Sequence, residues 1–423
     1  MSDILLFIIF FTVLTTVFAT MQVIFYLLFR IWVKRAFTPK TQPHMMRGFY
    51  VMLVLGNVLF FIRFILTPTG FYEYPLVQSV LIEPGGIYFA WMFLLSAAGI
   101  LYLEFRLISR FFSTKKTDEK PRFDSLQNAS SDPLQSRRAF IKKAGAIAFT
   151  APLILTTGLS LATHRQYIIT RQTLYYPGLA SGLEGLKLVH ISDIHSGIYM
   201  NRTQIAEIFE LVNGLYPDLI LITGDLIDTH ISEIPAITST IDMLNSTYGV
   251  YACPGNHDHY ASITALESAL TSTKVNFLKN DAKILRINGE RVSVMGIDDA
   301  GNGSRNFADF NKALSLSEKE SFRLLLSHRP DMFDIASQQS VDLTLSGHTH
   351  GGQIGFNVAG LDVYPIDFFQ KYSRGHYQKN SQQLYVNVGV GLVGVPIRLL
   401  RPEITLLTLT SDPTKKQVFV ENA

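Results

Sequence analysis

A chain of 423 residues with 48% hydrophobic residues, one cysteine and a formal net charge of +3 is too long for one small domain and too nearly neutral to suggest a nucleic-acid binder. The single cysteine, Cys253, excludes an intrachain disulfide, and its apolar surroundings in GVYACPG read as a buried packing site. Phe, Leu, Ile and Val dominate residues 1–163, whereas the rest has the mixed polarity of a soluble globule, so a membrane module precedes a globular domain.

Three segments, about 4–29, 48–67 and 86–107, are apolar over the roughly 20 residues that a bilayer span needs, and 144–163 is uncharged and just long enough to be a fourth. Arg30, Lys34, Arg35, Lys40 and Arg47 lie between the first two spans, the stretch 67–86 has no Lys or Arg, and the stretch from Arg106 to Lys143 is basic again. The positive-inside rule then puts the N-terminus outside, the basic loops in the cytoplasm and, with a fourth span, everything after His164 outside. If 144–163 instead lies in the interface, the globular domain faces the cytoplasm. Domain boundaries on this reading are 1–110 for three spans, 111–143 for a basic linker, 144–163 for the fourth segment and 164–423 for the globular domain. Residues 111–136 are polar and proline-containing, as in a flexible linker. SRRAFIKKAG, with Arg137, Arg138, Phe140 and Lys142, resembles a twin-arginine export signal; the plain alternative is a basic flank on a span.

From residue 186 onward short apolar runs alternate with helical patterns, which predicts an α/β domain. LKLVHISDIHSG begins as a strand and RTQIAEIFELVNGL has helical spacing; PDLILITGDLID and GVYACPGNHDH are strands, with helices expected over 233–245 and 262–271. Short strands run through VSVMGIDD, then SFRLLLSHRP and VDLTLSGHTH bracket a helix expected at 331–339, and LYVNVGVG and PEITLLTLT are strands again. Five apolar runs stop at residues able to bind a metal: Asp193 and His195, Asp225, Asn256 and His257, His328, and His348 with His350. Ligand sites form at the carboxyl ends of strands in open α/β sheets. In D-x-H and H-x-H the i, i+2 spacing aims both side chains to one side of an extended chain. Glycines beside Asp225, Asn256 and His348 allow tight turns.

The ordered set SDIH, GDLID, GNHD, SHRP and GHTH resembles the calcineurin-like metallophosphoesterase superfamily over about residues 184–412, and GGQI and LVGVPIRLLRPEITLLTL resemble its membrane-associated or exported bacterial branch. The resemblance implies a four-layer α/β/β/α sandwich behind the transmembrane helices. It also implies two divalent metal ions, one held by Asp193, His195 and His350, the other by Asn256, His328 and His348, with Asp225 bridging. Oxygen and imidazole donors suit Mn, Fe or Zn, and two cations about 3.5–4 Å apart acidify a shared water and clamp an in-line phosphoryl displacement. His257 is placed to donate a proton to the leaving oxygen or to stabilise charge there; Asp258 is a candidate to orient it and Asp228 to support the ligands, or both serve as turn or cap residues. Amidohydrolase, β-lactamase-like, H-E-x-x-H and Walker patterns are absent.

His190 reads as a core or edge residue, and His230, His259 and His376 as solvated loop residues. Arg374, Arg398 and Arg401 are candidates for a phosphate or the membrane surface. Phe368, Phe369 and Tyr372 suggest an apolar lip or, more simply, packing. The leading expectation is a membrane phosphoesterase acting outside on a phosphodiester or phosphomonoester of an envelope lipid or polymer. The alternatives are a cytoplasm-facing nucleotide-lipid pyrophosphatase of the UDP-diacylglucosamine type, and a membrane sensing or partner-binding module with a tethered hydrolase.

Overall fold

The computed structural model describes residues 3–112, 133–163, 166–301, 305–353, 355–358, 361–394, 398–415 and 417–423. Its chain forms two compact units, one of residues 1–60 with 84–158 and one of residues 61–83 with 159–423. The N-terminal third carries the helices α1 (Asp3–Ala36), α2 (Gln42–Thr69), α3 (Pro75–Val77), α4 (Glu83–Phe112) and α5 (Pro133–Thr163). Among the described residues, Thr15–Ala36, Gln42–Thr69 and Gln78–Glu104 are long and apolar enough to cross a membrane; the fourth segment expected at 144–163 is not in that group. Within the first unit aromatic rings do much of the packing. Phe60 stacks on Phe18 and Phe89 at centroid distances of 4.9 and 4.7 Å, and the indole N–H of Trp91 donates to the Phe149 carbonyl of α5 at 3.0 Å. Of the linker expected over 111–143, residues 113–132 lie outside the described residues, and from Pro133 the chain is helix, so the RRAFIKK stretch and the fourth apolar segment share α5.

The second unit is built from β1 (Ile168–Tyr175), β2 (Lys187–Ile191), α6 (Arg202–Asn213), β3 (Leu219–Thr223), α7 (Ile234–Thr238), β4 (Val250–Cys253), α8 (Asn256–Ala261), α9 (Ile263–Leu270), β5 (Val275–Phe277), β6 (Asp281–Ile287), β7 (Glu290–Gly296), α10 (Phe310–Ser315), β8 (Phe322–Leu326), α11 (Phe333–Ala336) and β9 (Leu343–Ser346). It continues through β10 (Phe356–Val358), β11 (Leu361–Val363), β12 (Gly375–Lys379), β13 (Gln382–Val386), β14 (Glu403–Thr410) and β15 (Val418–Asn422). A seven-stranded sheet has the order β15-β1-β14-β2-β3-β4-β5 and a six-stranded sheet the order β12-β13-β9-β8-β7-β6. β2 through β5 run parallel, as do β7, β8, β9 and β13.

Strand alternation divides the core. Leu188, Leu219, Leu221 and Cys253 face Val292, Val294, Leu324, Leu343 and Leu345 of the other sheet, with every one of them buried. Val189, Ile191, Ile220 and Ile222 point the other way, onto Ile205, Ile208, Phe209 and Val212 of α6. Met295 and Leu325 pack outward on Phe310, Ala313 and Ala336 of α10 and α11. Helices, two sheets and helices are therefore stacked in that order, as the resemblance implied. The helix expected over 233–245 is interrupted. Pro235 lies in the first turn of α7, and the hydroxyls of Thr238 and Thr240 bond back to Ile234 and Ala236 carbonyls at 3.0 and 2.9 Å, competition that shortens a helix. The helix expected at 331–339 is likewise only α11 after a 3-10 turn.

Candidate metal centre

β2, β3 and β4 of one sheet and β8 and β9 of the other end at the same edge of the sandwich, and each delivers its polar residues there. The chain does not stay extended as it does so. Asp193, His195, Asp225, His348 and His350 all have left-handed φ, at 53°, 48°, 51°, 70° and 50°. That conformation costs roughly 1–2 kcal/mol per residue without glycine, so the surrounding fold imposes it. Left-handed kinks, and not the i, i+2 alternation of an extended chain, aim these side chains, and His348 and His350 go to different partners.

Two donor sets result. In the first, His350 Nε2 lies 3.1 Å from His195 Nε2 and 3.2 Å from Asp193 Oδ1, and His195 Nε2 is 3.9 Å from the same Asp193 oxygen. In the second, His328 Nε2 lies 3.1 Å from Asn256 Oδ1 and 3.2 Å from both His348 Nδ1 and Asp225 Oδ2. Asp225 Oδ2 is also 3.6 Å from His195 Nε2. Ligands bound at about 2.1 Å to one cation stand roughly 3.0–3.4 Å apart, so these donors already have the mutual spacing that a divalent ion requires. Asp193, His195 and His350 form one group able to hold an ion, and Asp193, Asp225 and His328 another. All seven predicted ligands are brought to this edge.

Electrostatics favour cations. Burial pushes the Asp193, Asp225 and Asp228 carboxyls up, but the histidines beside them outweigh it and hold all three below the usual carboxylate range. Burial pushes His348 down to about 3, with the His328 and Arg329 charges adding to it. Burial also pulls His328 down, but the Asp225 and Asp193 carboxylates outweigh it and lift its pKa to about 10, so three ionised carboxylates sit in a water-poor site that draws positive charge.

His257 opens α8. Its amide donates to Asp225 Oδ1 at 2.8 Å, and its Nδ1 lies 2.7 Å from the Asp228 carbonyl and 3.2 Å from the Asp228 carboxylate. The ring stands edge-on to His195 at 4.6 Å, and with His195 and Asp225 it forms a third group of possible metal donors. Asp228 also reaches His195 Nδ1 at 3.3 Å, so it supports one donor and His257 together. Asp258 does not orient His257. Its carboxylate caps the turn instead, accepting from the Leu226, Ile227 and Gly255 amides at 2.9, 3.1 and 2.8 Å.

Other expectations are revised. Arg398 is 1% exposed, and its guanidinium donates to the carbonyls of Leu400, Val388, Gly389 and Gly391, so it is a buried staple and not a surface phosphate contact. Arg374 pairs with Asp367 at 2.7 Å and covers the Tyr364 ring, and Arg401 bonds Asn422 on the surface. His190 is buried in the core, 2.8 Å from the Thr223 hydroxyl. His230, His259 and His376 are half-buried and partnered, by Ser232, Asp298 and Gln383, at 2.9, 2.7 and 2.7 Å. Tyr372 is buried in packing, but Phe368 and Phe369 are 82% and 83% exposed. Sequence reasoning missed Arg329, whose guanidinium bridges Asp299 at 2.7 Å and His348 Nε2 at 3.0 Å; the signal was its place directly after His328.

Known proteins share this arrangement of sequence. The family described as calcineurin-like phosphoesterase matches residues 186–352. An uncharacterized metallophosphoesterase of Bacillus subtilis, YkuE, is 34% identical over 291 residues, covering 65% of this chain and 98% of that protein. An uncharacterized metallophosphoesterase of Helicobacter pylori is 34% identical over 229 residues, covering 53% of this chain and 60% of its own length. A protein of Danio rerio described as a transmembrane protein with metallophosphoesterase domain is 34% identical over 247 residues, covering 55% of this chain and 54% of that one. The chain therefore spans little more than half the length of the last two relatives.

Proposed function

Because this chain belongs to the calcineurin-like phosphoesterase family, we propose that it is a membrane-anchored phosphoesterase of the exported bacterial kind. Its domain would hydrolyse a phosphodiester or phosphomonoester of an envelope lipid or polymer on the outer side of the membrane. One observation carries the catalytic reading: a single carboxylate oxygen of Asp225 stands 3.2 Å from His328 and 3.6 Å from His195, shared by both donor sets. Asp193, His195 and His350 would hold one divalent ion and Asn256, His328 and His348 the other. The oxygen and imidazole donors suit Mn, Fe or Zn. When bound, the pair supplies Lewis-acid stabilisation of the phosphoryl oxygens.

The protein's own groups supply the rest. His257 donates its Nδ1–H to the Asp228 carbonyl at 2.7 Å, which fixes the ring and leaves Nε2 to give a proton to the leaving oxygen. Asp228 stabilises the protonated ring. Arg329 holds the outer nitrogen of His348 and so fixes that ring's direction.

The outward orientation is supported by the stretch 67–86, which lacks Lys and Arg. Gln78 in that stretch donates to the Ile198 carbonyl at 2.9 Å, within the same compact unit as the catalytic residues. A segment that the positive-inside rule puts outside takes its partner to the same side. Nucleotide-activated lipids are made in the cytoplasm, which weighs against the pyrophosphatase alternative. A lipid substrate is supported by the exposed Phe368 and Phe369, on the segment whose Ile366 packs against Gly352 in the turn after His350.

Two measurements test this reading. The purified full-length protein, reloaded with Mn²⁺, is expected to cleave generic phosphomonoesters or diesters, and total inertness would reject the catalytic assignment. A cysteine at Ala423 in a Cys253→Ala background is expected to react with an impermeant maleimide in intact cells, after outer-membrane permeabilisation where one exists. Reaction only after lysis would put the domain inside.

A further inference from the structure

Residues 61–83, from the last turns of α2 through the loop of residues 70–77 into the first residues of the third long apolar helix, fold into the same compact unit as the catalytic residues. Tyr72 and Ile82 of this stretch are buried with Ile198, and Leu66, Val77 and Tyr199 pack around them. Polar contacts accompany the cluster. Gln78, 7% exposed, donates to the Ile198 carbonyl at 2.9 Å. Glu73 accepts the Arg202 amide at 3.0 Å, which places a carboxylate on the first turn of α6. Ser232 donates to the Thr67 carbonyl at 2.6 Å, and the Tyr72 hydroxyl reaches the Ser232 carbonyl at 3.5 Å.

These partners are not scattered over the surface. They belong to two short segments, 196–202 following His195 and 229–233 following Asp228. The two segments are cross-tied: the Asp228 amide donates to the Ser196 carbonyl at 3.0 Å and the Ser196 hydroxyl to the Glu233 carbonyl at 3.0 Å. The buried Glu233 carboxylate receives the Thr229 and His230 amides at 2.7 and 2.9 Å, and a Cβ at Gly197 would meet its free oxygen at 2.9 Å. Asp228, at the start of the second segment, stands between His195 and His257 at 3.3 and 3.2 Å. A continuous run of contacts therefore leads from the loop to Asp228 and on to His257.

We propose that the loop of residues 66–83 is a positioning element of the catalytic site, clamping the segments that hold Asp228 behind His195 and His257. Turnover then depends on a piece of the membrane module, and the globular part from residue 164 onward is a deficient catalyst by itself. This rests on the phosphoesterase reading of the metal centre. Removal of the loop leaves the Ile198 carbonyl and the first amide of α6 without these partners and uncovers the apolar side chain of Ile198. The energy of those contacts is local to the segments that carry Asp228.

The test uses the full-length protein in detergent with Gln78→Leu, which removes the donor and keeps the bulk, Tyr72→Ala, and Tyr72→Phe as the conservative variant. Four quantities are read: kcat and KM on bis(p-nitrophenyl) phosphate, bound metal per chain, and hydrogen exchange of the 226–234 segment. Gln78→Leu and Tyr72→Ala are expected to lower kcat about 10-fold with KM and metal content unchanged and with faster exchange over 226–234, while Tyr72→Phe keeps parental values. Parental kcat and exchange in both variants would overturn the proposal. Loss of metal in parallel with activity would also overturn it, since the loop would then only support the fold. If the parent hydrolyses no ester, the phosphoesterase reading fails, and exchange alone decides the clamp: faster exchange upholds it and unchanged exchange rejects it.

Discussion

The ring of His257 is held at two points by one residue, its Nδ1 lying 2.7 Å from the carbonyl oxygen of Asp228 and 3.2 Å from the Asp228 carboxylate. Burial pushes the pKa of this imidazole down, but the Asp228 and Asp225 carboxylates outweigh burial and lift it from 6.5 to about 9. Cations bound beside Asp225 would offset part of that rise. On the proposed mechanism the protonated ring is the competent proton donor, so activity is expected to fall as pH rises through a limb lying between 6.5 and about 9. In Asp228→Asn the carboxylate contribution is gone and the limb moves to lower pH. A kcat/KM profile with an alkyl phosphate checks this; an unmoved limb would mean that another group titrates.

His257→Ala removes the proton donor without removing a proposed metal ligand. The expected loss is about 100-fold or more in kcat for a substrate with a poor leaving group, and much less for p-nitrophenyl esters, whose leaving oxygen needs no proton. Metal content stays at the parental level. Equal losses on both substrates would count against the proton-donor role.

Asp225 Oδ2 stands beside both His195 and His328, where it would bridge the two proposed ions. Asp225→Asn is expected to cut activity by more than about 100-fold and to lower bound metal below that of a single-set variant such as His350→Ala. Elemental analysis beside a rate measurement reads both outcomes.

Gly347 has no room for a side chain. A Cβ there would collide with the hydroxyl of Ser192 and with the Asp193 carboxylate, both buried. Gly347→Ala is expected to displace Asp193 and weaken metal binding, although the substitution changes neither a donor nor a charge. Metal titration of the purified variant shows it directly.

Arg398 is fixed by the carbonyls of Val388, Gly389, Gly391 and Leu400. Burial pulls its pKa from 12.5 to about 10, so it remains charged at neutral pH. That loop backs Asp193 and His350, since a Cβ at Gly389 would lie 2.9 Å from Asp193 Cβ and 3.2 Å from His350 Nδ1. Arg398→Met strands those carbonyls and is expected to destabilise the fold by about 3 kcal/mol or more, lowering Tm in thermal denaturation.

What the sequence determined by itself is local. Apolar runs of strand length ending in Asp, Asn or His named every donor, because a strand end and its turn lie within a few residues of each other. Span-length apolar segments and the distribution of Lys and Arg named the membrane module for the same reason. Tertiary structure decided how the donors are grouped. Asp193 accepts the His348 amide across 155 residues, and Asp225 joins His195 to His328 across two sheets, relations that no periodicity contains. It also decided that five donors take left-handed φ, a strain that only packing can impose. Asp228, not Asp258, supports His257, because the turn of residues 255–258 consumes the Asp258 carboxylate on backbone amides. β1 and β15, at the edge of the first sheet, and the docking of residues 61–83 were not legible either, since pairings such as Ser232 with Thr67, 165 residues apart, are fixed only when the chain has folded.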